Sequence, residues 1–188
     1  MLNTPNILSI FRICLVPVFI ISYFSGIPYA TQLAALVYAV ALITDFLDGY
    51  IARRFNLITN LGRVLDPLGD KMITMAVLAC LTIDGKIPSI ILIIFTFKEL
   101  LMGLGGLLLH KAVKVDIPSA NLLGKSATVL FFLVCILLML FDISYNTATI
   151  LISLALLNSV AAFISYLYGF IKILKKKEPV NPEIEQIK

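Results

Sequence analysis

Residues 45–70 read DFLDGYIARRFNLITNLGRVLDPLGD, and they set four carboxylates, Asp45, Asp48, Asp66 and Asp70, into surroundings that are otherwise nearly all hydrocarbon. An aspartate at the centre of a membrane helix costs about 2.5–3.5 kcal/mol on insertion scales, so four unpaired ones total on the order of 10 kcal/mol. Arg53, Arg54, Arg63 and Lys71 offset part of that cost but do not account for the spacing. Asp45, Asp48 and Ala52 stand at i, i+3 and i+7 on one helical face, and Gly62, Asp66 and Asp70 stand at i, i+4 and i+8 on another. The stretch from Arg54 to Leu61 is short, so the two helices are expected to be antiparallel neighbours that bring both carboxylate pairs together near one surface.

The rest of the chain is built to hold such a pair of helices in lipid. Hydrophobic residues make up 60% of the 188, and charged residues 14%, against about a quarter in a soluble domain. The expected fold is all-α: a polytopic membrane protein with six transmembrane helices in one bundle and a site near the cytoplasmic surface. Residues 1–174 are expected to form one six-helix transmembrane domain carrying the site, and 175–188 a basic, polar cytoplasmic tail. The spans are expected at about Pro5 to Phe24, Tyr29 to Arg53, Gly62 to Ile83, Ser89 to His110, Gly124 to Phe141 and Asn146 to Ile173. The first span has no basic n-region and no small-residue cleavage site, which reads as a retained helix.

Charge sets the orientation. Arg53, Arg54 and Arg63, His110, Lys111 and Lys114, and the run Lys172 to Lys177 all fall on the N-terminal side of a six-span bundle, leaving Lys86 opposite. By the positive-inside rule both termini are then cytoplasmic, in the plasma membrane. Cys14, Cys80 and Cys135 sit in apolar runs with no paired spacing, so neither a disulfide framework nor a zinc site is expected. No nucleic-acid partner is expected either.

Clustered carboxylates repel unless neutralised, and hard divalent cations with oxygen ligands are the usual remedy. A pair of such ions also clamps phosphoryl oxygens in a displacement. Two other readings stay open on the residues alone: a buried ion-pair network that only positions helices, and a divalent-cation transporter. The arginines and Lys125 around the carboxylates favour a site for anions as well as cations. Inside other spans, Arg12 either snorkels or faces an anion in the bundle. Lys98 and Glu99 are adjacent, about 100° apart on a helix, so they are expected not to neutralise one another, with at least one facing inward. The glycines at 103, 105 and 106 read as helix packing, and Gly124-Lys125-Ser126 lacks the strand and upstream glycine of a phosphate loop.

Asp45-x-x-Asp48-Gly49-x-x-Ala52-Arg53, eight residues, Gly62-x-x-x-Asp66-x-x-x-Asp70 resembles the motif of the CDP-alcohol phosphotransferase family at every defined position. The six-span length is similar to that family's whole catalytic domain. The resemblance implies transfer of a phosphatidyl group from CDP-diacylglycerol to an alcohol, with release of CMP, and a homodimer. It implies two divalent cations, Mg or Mn, on Asp45, Asp48, Asp66 and Asp70, with Asp70 also the general base. It further implies a CDP site formed by Asn6, Asp48, Gly49, Ala52, Arg53, Gly62 and Asp66. Pro5-Asn6-x-x-Ser9-x-x-Arg12, Asp66-Pro67-Leu68-x-Asp70-Lys71, Lys98-Glu99 and Gly124-Lys125-x-x-Thr128 resemble the bacterial members that use glycerol 3-phosphate and form phosphatidylglycerophosphate. Lys125, Lys98 and Arg12 are the acceptor-site candidates. Lys98 stands where those members usually carry Arg, and cardiolipin synthases, which use phosphatidylglycerol, share the first two segments closely.

Overall fold

The computed structural model describes the backbone of residues 4–54, 62–113 and 122–176, and the side chains of 7–47, 54, 68–105, 124 and 126–169. Six α-helices and no strands occur among the described residues: α1 (Thr4–Tyr23), α2 (Ala30–Arg54), α3 (Gly62–Ile83), α4 (Ser89–Val113), α5 (Leu122–Leu140) and α6 (Tyr145–Lys176). The expected tail beyond Lys176 lies outside them.

The turn between α3 and α4 shows how sequence ends a helix here. Gly85 has φ 71°, a left-handed conformation that glycine adopts without a Cβ penalty. Its N–H donates to the Thr82 carbonyl at 3.1 Å, and the Lys86 N–H donates to the Leu81 carbonyl at 3.0 Å. These are the paired bonds of a Schellman cap, which satisfy carbonyls left over at the helix end, and Pro88 follows where the chain cannot resume the same helix. Tyr23 Oη donates to Asp84 at 2.9 Å, which ties the end of α1 to this turn.

Packing follows small residues spaced one turn apart. On α5, Ala127, Phe131, Val134 and Leu138 are buried, and on α6, Ala148, Ile152, Ala155 and Ser159 are buried. Steps of four and three residues put each set on one helical face, and α5 and α6 pack on one another. Ala34, Ala35 and Ala41 keep α2 slim where α1 lies against it. Phe19 of α1, Tyr38 of α2 and Phe132 of α5 then interlock edge to face, with centroids 6.3 Å and 5.2 Å apart. Cys80 and Cys135 are free thiols in this apolar core, and Cys14 is an exposed one.

The expected contact between α2 and α3 is present but narrow. Among the described residues α1 packs broadly on both α2 and α3, whereas α2 and α3 touch each other much less. Helix α1 thus packs on both carboxylate helices. Gly69 lies in the α1–α3 contact. A Cβ placed there would meet the Ser9 carbonyl and Ile13 Cγ1 at 3.5 Å and Arg12 Cδ at 3.6 Å, ordinary contact distances that leave room for a methyl and nothing more. Gly69→Ala is expected to hold or raise stability through helix propensity, worth up to about 1 kcal/mol. Gly69→Leu is expected to cost about 1–3 kcal/mol by overpacking. Thermal unfolding in detergent checks both, and an unchanged melting point for the leucine variant would refute the α1–α3 contact.

Among the described residues two stretches are long and apolar enough to cross a membrane, Ala30–Leu47 within α2 and Tyr145–Gly169 within α6, and the described parts of α1 and α5, Ile7–Tyr23 and Ser126–Leu140, are apolar as well. Helices α3 and α4 carry charge inside their lengths, at Asp70 and Lys71 and at Lys98 and Glu99.

Candidate active site

The polar residues collect where α1 begins, α2 ends and α3 begins, above the apolar core. Arg12 is 0% exposed, and its Nη1 lies 2.7 Å from Asp45 Oδ1. Snorkelling is therefore overturned for Arg12: its stem packs on α3 at Gly69, and its guanidinium reaches α2. Despite this ion pair the Asp45 side chain remains 41% exposed. Ser9, one turn before Arg12, is also fully buried, and its carbonyl faces Gly69.

Asp70, half-buried on α3, lies within electrostatic reach of Asp45, Arg12, Glu99 and Lys71. The first and last residues of the 45–70 stretch thus act on one another electrostatically. Asp70 is held on a regular helix, and Thr74 Oγ1 donates back to its carbonyl at 3.0 Å.

Beside Asp70 stands a second cluster joining three helices. Glu99 of α4 forms ion pairs with Lys71 of α3 and Lys98 of α4, one carboxylate oxygen to each ammonium. Lys98 Nζ also donates to Ser159 Oγ of α6 at 2.7 Å and sits 5.0 Å from the centre of the Phe95 ring. The expectation that Lys98 and Glu99 do not neutralise one another is overturned. A lysine stem has enough rotatable bonds to curl its ammonium across the 100° between adjacent positions, and burial leaves it no water as an alternative. Both side chains face inward, at 9% and 10% exposure.

The backbones of Asp48, Gly49, Ala52 and Arg53 continue α2, and those of Gly62 and Asp66 open α3, so the expected helical spacing holds along the chain. Their side chains, with those of Asn6 and Lys125, lie outside the described residues. No three His, Cys, Asp or Glu side chains converge among the described residues. The donor chemistry nonetheless fits hard cations: Asp45 and Asp70 offer carboxylate oxygens in proximity, and Asp45 keeps exposed surface beyond its bond to Arg12.

Sequence reasoning missed three contributors. Gly69 is an interior helix glycine, which costs about 1 kcal/mol against alanine and so signals a packing need. Lys71 was visible as a charge beside Asp70 but not as a partner of Glu99, and Ser159, one hydroxyl in an apolar helix, carried no signal without the fold.

The family model described as CDP-alcohol phosphatidyltransferase matches residues 2–165. The chain is 34% identical over 177 residues to the CDP-diacylglycerol–glycerol-3-phosphate 3-phosphatidyltransferase of Rickettsia bellii, covering 93% of this chain and 96% of that one. It is 36% identical over 138 residues to the protein of the same name from Rickettsia felis, covering 73% and 75%. With the Bacillus subtilis protein of that name the identity is 35% over 140 residues, covering 68% of this chain and 72% of the relative.

Proposed function

The chain belongs to the CDP-alcohol phosphatidyltransferase family, and from that premise we infer that it transfers a phosphatidyl group from CDP-diacylglycerol to glycerol 3-phosphate. The products are phosphatidylglycerophosphate and CMP, and the setting is phospholipid biosynthesis. The observation that carries the acceptor is the shared name of relatives whose similarity to this chain spans most of both sequences. The cation-transporter reading gives way to family membership.

The reaction joins an acceptor hydroxyl oxygen to the phosphorus that bears diacylglycerol, breaks the pyrophosphate bond, and sends the electron pair of that bond to CMP. Asp70 takes the hydroxyl proton as the new bond forms. Asp45, Asp48, Asp66 and Asp70 would hold two divalent cations, Mg or Mn, which supply charge neutralisation for the pyrophosphate when bound. Asn6, Asp48, Gly49, Ala52, Arg53, Gly62 and Asp66 form the CDP pocket, small residues giving the nucleotide room beside the backbone. Lys125, near the start of α5, takes the phosphate of the acceptor, where the orphan amides of a helix N-terminus favour an anion. The bond from Arg12 to Asp45 supports a positioning role for that arginine.

All six helices cross the plasma membrane in this reading, with both termini cytoplasmic and two copies forming a homodimer. Outward stripes support a lipid setting: on α4, Ile90, Ile93, Phe97, Leu100 and Leu104 are exposed at steps of three and four residues. The excess of Lys and Arg at the N-terminal side supports the orientation.

Purified protein in mixed micelles, given CDP-diacylglycerol with glycerol 3-phosphate, phosphatidylglycerol or glycerol, tests the reading by CMP release and lipid product. Phosphatidylglycerophosphate is expected with the first acceptor alone, lost on chelation and restored by Mg²⁺ or Mn²⁺. Cardiolipin from phosphatidylglycerol would replace the acceptor assignment, and turnover that survives chelation would end the two-metal assignment.

A further inference from the structure

Three helix connections lie at the end of the bundle opposite Asp45 and Asp70, and side-chain bonds hold them at one level. At the end of α1, Tyr23 Oη donates to Asp84 Oδ2 of the α3–α4 turn at 2.9 Å. Lys86 of the same turn has its Nζ 3.7 Å from that oxygen and donates to the Leu138 carbonyl, near the end of α5, at 3.4 Å. Lys86 is the only basic residue in 24–29, 84–88 and 141–144, and its ammonium is thus engaged within the protein. Exposed aromatic rings stand around the same level: Phe24 and Tyr29 at the α1–α2 connection, Phe141 and Tyr145 at the α5–α6 connection. Tyr29 is held there against a cost. Its φ of 70° is a left-handed conformation in which a bulky residue is an outlier, yet it is 76% exposed and its ring gains little from the bundle. Strain at an exposed ring points to something outside the protein that the ring meets.

We propose that Phe24, Tyr29, Phe141 and Tyr145 are an aromatic belt seated at the headgroup boundary of a bilayer, setting the depth at which the bundle sits. The proposal rests on the six-span reading above. A ring that is apolar on its faces and polar at its hydroxyl suits a layer wet on one side and hydrocarbon on the other. Charge favours the same occupant. The three connections carry Asp84, Asp142 and the already bonded Lys86, so they offer no surplus of cations to an anionic partner, and the surface left to bind is aromatic. The exposed stripe Ile150, Leu154 and Leu157 of α6 continues below the belt with hydrocarbon, as such a boundary requires.

The chain contains no tryptophan, so one introduced indole reports its own surroundings. Full-length Tyr29→Trp and Leu157→Trp proteins are placed in phosphatidylcholine vesicles whose acyl chains carry bromine either near the headgroup or near the chain end, and fluorescence quenching is read. Leu157 is exposed and lies about 18 Å along α6 from Tyr145, within the hydrocarbon. The Tyr29 probe is expected to lose most fluorescence to the shallow bromines, and the Leu157 probe to the deep ones. Tyr145→Trp reads the same level from the α5–α6 connection and is expected to match Tyr29→Trp, so the test stands even where the strained position does not accept an indole. Belt probes with the emission of tryptophan in water, untouched by either lipid, overturn the proposal. Belt probes shielded from both lipids and from a soluble quencher overturn it too, because a second copy or another protein then covers that end. Quenching strongest with the deep bromines is a third contrary result. Where the Leu157 probe reports its depth and the belt probes do not, the belt alone fails; where the Leu157 probe also escapes both lipids, the six-span reading fails with it.

Discussion

Asp70→Asn is expected to lower kcat for CMP release by about 10²–10⁴-fold, the usual contribution of a positioned general base. Asparagine has the shape of aspartate and keeps an acceptor oxygen, so packing against α1 through the adjacent Gly69 is undisturbed. It cannot take a proton at neutral pH. The substitution also removes one of two like charges, since Asp45 acts on Asp70 in the folded protein, and relief of that repulsion leaves the melting point equal or higher. Stability and activity are thus expected to move in opposite directions, as they do where a site stores unfavourable electrostatics for function. Steady-state turnover and thermal unfolding on one preparation check the pair. Activity within a few-fold of wild type would remove Asp70 from the chemistry, and a large drop in melting point would make it a structural residue.

Helix boundaries were legible in the sequence because their signals are local. Asp84-Gly85-Lys86-Ile87-Pro88 marks a helix end by backbone chemistry, and the cap forms at those residues. The third span, expected to begin at Gly62 or Arg63 and reach Ile83, is α3, Gly62–Ile83. The carboxylate helices were legible too, since i, i+3 and i+4 spacing needs only the geometry of one helix. Lateral order is another matter. A short connection makes consecutive helices antiparallel but does not say which third helix packs on both, and here α1 packs on each of them more broadly than they pack on one another. The Lys98–Glu99 pair was misjudged for a related reason: rigid-rotor reasoning about adjacent positions ignores the length of a lysine stem, and the third partner, Lys71, lies on a different helix.

The packing of α1 on both carboxylate helices carries a functional consequence, centred on Arg12. A buried arginine costs stability that its ion pair repays only in part, and replacing such a pair by apolar side chains of similar volume is often neutral. Here the partner, Asp45, is 41% exposed and stays solvated when the arginine is lost. Arg12→Met, similar in length and apolar, is therefore expected to change the melting point by only a few degrees, about 1 kcal/mol or less. Its effect on turnover is expected to be larger. A residue that orients a ligand-bearing carboxylate through a charge-assisted bond typically costs about 10–100-fold in activity or metal affinity when removed, and Arg12 Nη1 at 2.7 Å is placed to set the Asp45 rotamer. Arg12→Lys keeps the charge but lacks the planar fork, so it is expected to restore less than half of the lost activity. The readout is kcat against Mg²⁺ concentration for the three proteins beside their unfolding curves. An Arg12→Met variant with wild-type turnover would show that Asp45 orients itself. A variant that fails to fold would instead make the guanidinium part of the scaffold, and the link between α1 and the reaction would be packing alone.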